Sequence, residues 1–181
     1  MRIIAGKYKG RRLVSFKASH IRPTTDRVKE SIFNTIQNEL YDEQVLDLFS
    51  GTGNMAIEAF SRGACAVVAV ESHTKSIDII KENLKALDIK EGIKIIKKDV
   101  FKFISSYEGE PFRVIIVDPP FTKKISHDVM AALSISKLYS KDTLVLIESS
   151  SHERIDDKYS DLEQVAQKDF GDKKVSYYRY S

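Results

Sequence analysis

The chain has 181 residues, 42% apolar and 30% charged, which fits one globular domain of about 100 to 200 residues and leaves two full domains cramped. Its 29 Lys plus Arg against 26 Asp plus Glu give a formal net charge of +3, too small to select a partner by itself. The apolar stretches, such as Cys65 to Val70, fall far short of the roughly 18 residues of a membrane span. Charge is nonetheless uneven: residues 1–30 hold nine basic and two acidic side chains, a cationic arm on a mildly anionic body. The N-terminus keeps adding charge where a secretory signal would turn apolar, so a cytoplasmic protein is expected. Cys65 stands alone, which rules out an intrachain disulfide, and its apolar neighbours predict burial.

In chain order, residues 1–24 read as a basic arm in which Ile3, Ile4, Leu13 and Val14 are patterned for a small β-hairpin, and residues 25–181 as the main domain. Val28, Ile32, Phe33, Ile36 and Leu40 recur at helical spacing after a Pro23-Thr24-Thr25 start signal, predicting a helix over 25–40. Val45 to Phe49 is a short apolar run that stops at Ser50-Gly51-Thr52-Gly53, and Met55, Ile57, Ala59 and Phe60 continue as a helix that Gly63 ends. The alternation repeats: strand Ala66 to Val70, helix Thr74 to Leu87, strand Ile93 to Ile96, a short helix from Phe101, strand Val114 to Val117, helix near Val129 to Leu133, strand Leu144 to Ile147. Parallel neighbours need crossovers, so this order predicts an α/β, mostly parallel sheet with helices on both faces. Val165 to Phe170 and Val175 to Tyr180 flank Gly171 to Lys174 as a C-terminal antiparallel hairpin, making seven strands in all.

Ligands of such sheets bind beyond the carboxyl ends of the strands. The first strand closes with Asp47-Leu48-Phe49-Ser50-Gly51-Thr52-Gly53, where glycines let backbone approach a ligand. The second closes with Glu71, placed to accept from ribose hydroxyls, and the third with Asp99, placed to accept from an adenine amine. Gly51-x-Gly53-x-x-Ala56 with Glu71 also passes for a dinucleotide fingerprint. Asp47 argues otherwise: it would repel a pyrophosphate but attract an ammonium group. A nucleoside carrying an amino acid is S-adenosylmethionine.

The fourth strand runs into Asp118-Pro119-Pro120-Phe121. An exocyclic base amine has its lone pair delocalised into the ring, so its methylation is helped by acceptors that draw the nitrogen toward a tetrahedral geometry. The Asp118 carboxylate and the Pro119 carbonyl could accept its two N–H bonds. Pro119 and Pro120 would stiffen the loop, and Phe121 would stack on the base. This tetrapeptide matches the (Asp/Asn/Ser)-Pro-Pro-(aromatic) signature of S-adenosylmethionine-dependent amino-methyltransferases, and so resembles a Rossmann-like class I methyltransferase.

Arg2-Ile3-Ile4-Ala5-Gly6-Lys7-Tyr8-Lys9-Gly10-Arg11-Arg12-Leu13 and Arg22-Pro23-Thr24-Thr25-Asp26-Arg27 resemble the start of the bacterial RsmD family, 16S ribosomal RNA guanine-N2 methyltransferases. The likeness continues through Leu46 to Gly53, Ile57 to Ala64, Asp118 to Phe121, and Gly171-Asp172 with Tyr177 to Tyr180. It implies transfer to the N2 amine of one guanine in small-subunit ribosomal RNA, within an assembling or assembled 30S particle. It also implies that Thr24 and Arg27 lie with Asp47 to Gly53, Glu71 and Asp99 beside the cofactor. Asn54 and Ala56 depart from the small residue and the glycine common in that family. The arm itself suits RNA, with Arg2, Lys7, Lys9, Arg11, Arg12 and Arg22 for phosphates and Tyr8 and Phe16 to stack.

Other readings leave residues unexplained. His20, His73, His127 and His152 fall in no metal-ligand spacing, so no metal is expected. No serine elbow or phosphate loop occurs. A nucleotide-dependent oxidoreductase on the same sheet leaves Asp118 to Phe121 and the arm unused, a noncatalytic RNA-binding module leaves Asp118 without a purpose, and a DNA adenine-N6 methyltransferase leaves the arm unmatched. A monomer is expected.

Overall fold

The computed structural model describes residues 1–15, 25–120 and 124–181. α1 (Asp26–Thr35) starts where Thr25 Oγ1 accepts the Val28 N–H, satisfying a donor that the first turn leaves free. Val28, Ile32 and Phe33 are its buried face. The helix stops at Thr35, short of the expected Leu40. A 3-10 turn over Gln37–Glu39 follows, and Ile36 and Leu40 remain buried, so the apolar spacing outlives the α-helical hydrogen bonding.

β1 (Gln44–Leu48), β2 (Ala66–Glu71), β3 (Ile93–Lys97), β4 (Val114–Val117) and β5 (Leu144–Ser150) pair in parallel in the order β3-β2-β1-β4-β5. The crossovers carry α2 (Asn54–Ser61), α3 (Thr74–Ala86), α4 (Val100–Ser105) and α5 (Ser126–Leu133). Alternate strand residues serve opposite faces, as a pleated strand requires. Val45, Val67, Val114, Ile116 and Leu144 pack with α1 and α2, whereas Leu46, Leu48, Ile115, Val117 and Val145 pack with α4 and α5.

β8 (Lys173–Tyr180) joins β5 antiparallel, β7 (Leu162–Phe170) joins β8, and β6 (Lys158–Tyr159) closes the edge. The sheet therefore has eight strands among the described residues, not seven. The extra pair, Lys158↔Glu163 and Tyr159↔Leu162, is too short to leave a periodic signal. An irregularity between Gln164 and Ala166 in β7 leaves Val165 exposed. Strand order reverses between β1 and β4, which pair from Val45↔Val114 to Leu48↔Val117, and a crevice opens beyond the carboxyl ends at such a reversal.

Residues 1–15 double back, with Ile3 N–H donating to the Arg11 carbonyl, Gly10 N–H to the Ile3 carbonyl and Leu13 N–H to the Met1 carbonyl. One antiparallel bridge, Arg2↔Arg12, closes them. Ile3 and Leu13 are buried with Ile57, Leu87 and Ile89. Gly6 turns the chain at φ +82°, and a Cβ there would sit 1.8 Å from the Ser61 carbonyl oxygen, so the arm can lie this close to α2 only with glycine. Two expectations fail here. Cys65 is exposed, because it lies in the link before β2 while its apolar neighbours belong to the strand. Tyr8 is half-buried and stacked on Phe60 at 6.4 Å, so that face of its ring is not available to a nucleobase.

Candidate functional site

The glycine loop hangs from the end of β1 with Ser50 N–H on the Val70 carbonyl and Gly53 N–H on the Ser50 carbonyl. Phe49, Gly51 and Gly53 all have positive φ, +65°, +54° and +79°. For Phe49 this left-handed conformation is costly, and such strain persists where the surroundings fix it. A Cβ on Gly53 would press on Ile80 at 3.2 Å.

Asp47 is buried on the α2 face. Its Oδ2 accepts from Ser50 Oγ at 2.5 Å and from the Ala56 N–H at 3.0 Å. Oδ1 is buried without a hydrogen-bond partner among the described residues. Burial pushes this carboxyl up to about 7 against the pull of the two hydrogen bonds, and the charge of Glu71 adds to the rise. A ligand cation at Oδ1 would satisfy the orphaned oxygen and favour the charged form. The ammonium of S-adenosylmethionine has that chemistry, so the residues present fit the cofactor.

Glu71 is also buried. Its Oε2 accepts from the Gly51 N–H and its Oε1 from the Ser72 and His73 N–H groups. The carboxylate thus braces the glycine loop against the end of β2, and a ribose would meet only its remaining acceptor capacity. Asp99 caps α4 by accepting from the Lys102 N–H at 3.1 Å. Thr52 gives its carbonyl to Asn83 Nδ2. Arg27 is exposed and lines an open groove with Glu30, Ser31, Asn34, Thr35 and Lys168, so the structure does not bring it to the glycine loop. Thr24, Arg22, Phe16 and Phe121 lie outside the described residues.

Asp118 follows β4 directly, half-buried, with its N–H toward the Leu48 carbonyl at 3.4 Å. Pro119 is buried and Pro120 exposed. The Asp-Pro-Pro loop and the glycine loop therefore leave adjacent strands at the same rim, on either side of the point of reversal.

Sequence reasoning missed a polar cluster beneath the loop. Lys29, fully buried, donates from Nζ to the Arg2 carbonyl and Asn54 Oδ1, and pairs with Glu58 at 3.1 Å. Burial pulls its pKa down and Glu58 opposes the fall. Glu58 also accepts from the Ile4 and Ala5 N–H groups and from Arg62 Nε. Asn83, equally buried, takes the Val14 N–H on Oδ1 and donates to the Val14 and Thr52 carbonyls. The available signals were a lysine beside Val28 on an apolar face and a glutamate between Ile57 and Ala59. Asn54 is used by Lys29, and Ala56 by Asp47, so both departures from the family pattern have partners.

The arm's paired ends and its turn lie in different places. Arg2 pairs with Asp26 at the start of α1, and Met1 Sδ approaches Thr52. The turn is elsewhere: Lys7 N–H donates to the carbonyl of Ser61, the last residue of α2, and Arg11 to the carbonyl of Ala86, the last residue of α3. Helices that follow parallel strands run back toward the strand beginnings, so Lys7, Lys9 and Arg11 belong to the edge opposite Asp118.

Among the described residues no cluster of three or more His, Cys, Asp or Glu could hold a metal, and no helix is long and apolar enough to cross a membrane. Fold and site together define a class I S-adenosylmethionine-dependent methyltransferase. The chain is 30% identical over 181 residues to the candidate rRNA methyltransferase YlbH of Bacillus subtilis, covering 99% of this chain and 98% of that one. It is also 30% identical over 149 residues to ribosomal RNA small subunit methyltransferase D of Escherichia coli strain K12, covering 82% and 74% respectively. The solved structure of a methyltransferase candidate, yhhF from Escherichia coli, superposes with a TM-score of 0.87 at 26% identity over 100% of this chain and 98% of that one. The family model described as Conserved hypothetical protein 95 matches residues 1–179, and the chain belongs to that family.

Proposed function

We propose that this protein transfers the methyl group of S-adenosylmethionine to the N2 amine of a guanine in small-subunit ribosomal RNA. The observation that carries the reading is the pairing, on one rim, of the Asp118-Pro119-Pro120 loop with a glycine loop whose buried Asp47 leaves one oxygen unsatisfied. The relatives named for small-subunit RNA methylation supply the polymer. Asp47, Phe49, Ser50, Gly51, Thr52, Gly53, Glu71 and Asp99 hold the cofactor. When bound, the cofactor supplies a methyl carbon activated by its sulfonium.

The chain's own part is acceptance. The Asp118 carboxylate and the Pro119 carbonyl oxygen take the two N–H bonds of the target amine, which localises its lone pair for attack. Once the amine has been methylated, its surplus proton would leave by way of the Asp118 carboxylate. Pro119 and Pro120 restrict the loop so that little ordering is needed at the moment of reaction. Phe121 stacks on the base, which must be unpaired or turned out of its helix to arrive. Residues 25–181 form the catalytic unit. Residues 1–24 supply secondary RNA contacts through Arg2, Lys7, Lys9, Arg11, Arg12 and Arg22, and the protein acts as a cytoplasmic monomer on assembling or assembled 30S particles.

The test is incubation with labelled methyl donor and naked 16S RNA, small subunits or DNA, followed by nucleoside analysis. Label in N2-methylguanosine is expected; label in N6-methyladenosine or in DNA alone would overturn the assignment.

A further inference from the structure

The RNA-facing charge predicted from sequence sits on the arm, yet the arm's turn is held at the edge opposite Asp118. The catalytic rim has its own cations. Lys97 ends β3, Lys98 follows it, Lys75 opens α3 and Lys102 lies in α4. Lys75, Lys97 and Lys102 are exposed and Lys98 half-exposed.

Hydroxyls hold these lysines in two groups that meet at the adjacent residues Lys97 and Lys98, the first beside Lys75 and the second with Lys102. Lys97 Nζ donates to Thr74 Oγ1 at 2.7 Å, Lys98 Nζ to Ser106 Oγ at 2.5 Å, and Ser106 Oγ to the Lys102 carbonyl at 2.7 Å. Lys97 stands opposite Glu71 in the sheet register, and the Lys98 N–H donates to the Glu71 carbonyl. None of the four makes an ion pair with a described residue. The nearby acids keep their charge but take backbone N–H groups, Asp99 at the α4 cap and Glu71 at three amides.

On the far side of the same rim two cations are matched, Arg154 by Asp156 and Lys173 by Glu148, while Lys124 beyond β4 is exposed. Four lysines against the carboxylates of Asp99 and Glu71 leave a net positive charge at the end of β3. From β3 to β4 is three strand spacings, on the order of 15 Å, within reach of a short stretch of RNA that also presents a base to Asp118.

We propose that Lys75, Lys97, Lys98 and Lys102 form the phosphate-contact surface that holds the RNA backbone while the target base occupies the site. This rests on the reading of the substrate as RNA. Each phosphate neutralised releases condensed counterions, so each lysine engaged steepens the fall of affinity with salt by about 0.7 in the logarithmic slope for single strands.

The experiment uses the full chain with 16S RNA and small subunits as probes. Lys97→Gln/Lys98→Gln/Lys102→Gln is compared with Lys7→Gln/Lys9→Gln and wild type for RNA affinity across a salt series, methylation kinetics, cofactor affinity and thermal unfolding. The rim variant should lose about 2 from the salt slope, and raise KM for RNA at least about tenfold at physiological salt. Saturated kcat and cofactor Kd should stay within about twofold, and the arm variant should change the slope less. An unchanged slope in a folded rim variant, with wild type still methylating RNA, overturns the lysine surface and leaves the activity standing. Loss of cofactor binding would reassign the lysines to the cofactor and overturn it too. A wild type that binds only an acidic protein, or methylates no RNA, overturns lysine surface and substrate assignment together.

Discussion

Asp47→Asn separates the stability of the loop from its use. In the folded protein this carboxyl is pushed from its ordinary 3.8 to about 7, so between those pH values the native chain keeps a proton that the unfolded chain has released. The unfolded state binds fewer protons, and stability falls as pH rises from about 4 to about 7. The difference corresponds to about 4 kcal/mol. Asparagine preserves an acceptor for Ser50 Oγ and the Ala56 N–H and carries no charge. The variant should therefore lose that part of the pH dependence, and without cofactor it should be more stable than wild type by up to about 4 kcal/mol at pH 8.

Cofactor affinity should move the other way. If the ligand ammonium meets Oδ1, binding lowers the carboxyl pKa and expels a proton below pH 7, so wild-type Kd should tighten by up to about tenfold per pH unit toward neutrality and then level off. Asp47→Asn should bind on the order of 10- to 100-fold more weakly at pH 8, the scale of one charged hydrogen bond, with a flatter profile. Denaturant unfolding and titration calorimetry from about pH 5.5 to 8.5, in buffers of different ionisation enthalpy, read both quantities. Unaltered affinity in the variant, or a pH-independent wild-type Kd, would refute the assignment of Oδ1 to the ammonium.

Other outcomes follow from the cluster below the loop. Glu58→Ala leaves Lys29 buried without its anionic partner and strips the Ile4 and Ala5 N–H groups of their acceptor. It should cost about 3–5 kcal/mol in chemical denaturation, with hydrogen exchange accelerated first at those amides. Gly6→Ala forces a Cβ into the Ser61 carbonyl, and should release residues 1–15 to limited proteolysis while residues 25–181 stay folded. Asn83→Ala removes three hydrogen bonds joining Val14 and Thr52. It should destabilise by about 2–3 kcal/mol and raise KM for the cofactor more than it lowers kcat.

What was legible in the sequence was what local periodicity encodes. Val114 to Val117 is β4 at both ends, since four β-branched residues between an arginine and an Asp-Pro step allow little else. The mostly parallel pairing is legible in the strand–helix alternation, and the rim in the polar residues that close each strand; the strand order is not. Long-range commitments were not legible. Asp47 spends one oxygen on Ser50 and Ala56, and Glu71 braces Gly51, yet on sequence both read as free acceptors for ligand. Pairings such as Glu58 with Ile4, or Asn83 with Val14, join residues more than fifty positions apart, beyond any helical or strand period. For the same reason the arm's charge was visible, while the edge its turn occupies was not.

The amine-acceptor role of Asp118 is tested most directly by single-turnover methyl transfer with Asp118→Ala preloaded with cofactor and mixed with saturating small subunits. Removal of a group that acts mainly in the transition state should slow transfer by about 100-fold or more while cofactor Kd stays within about twofold of wild type. Transfer at nearly the wild-type rate by a folded, cofactor-loaded variant would contradict it.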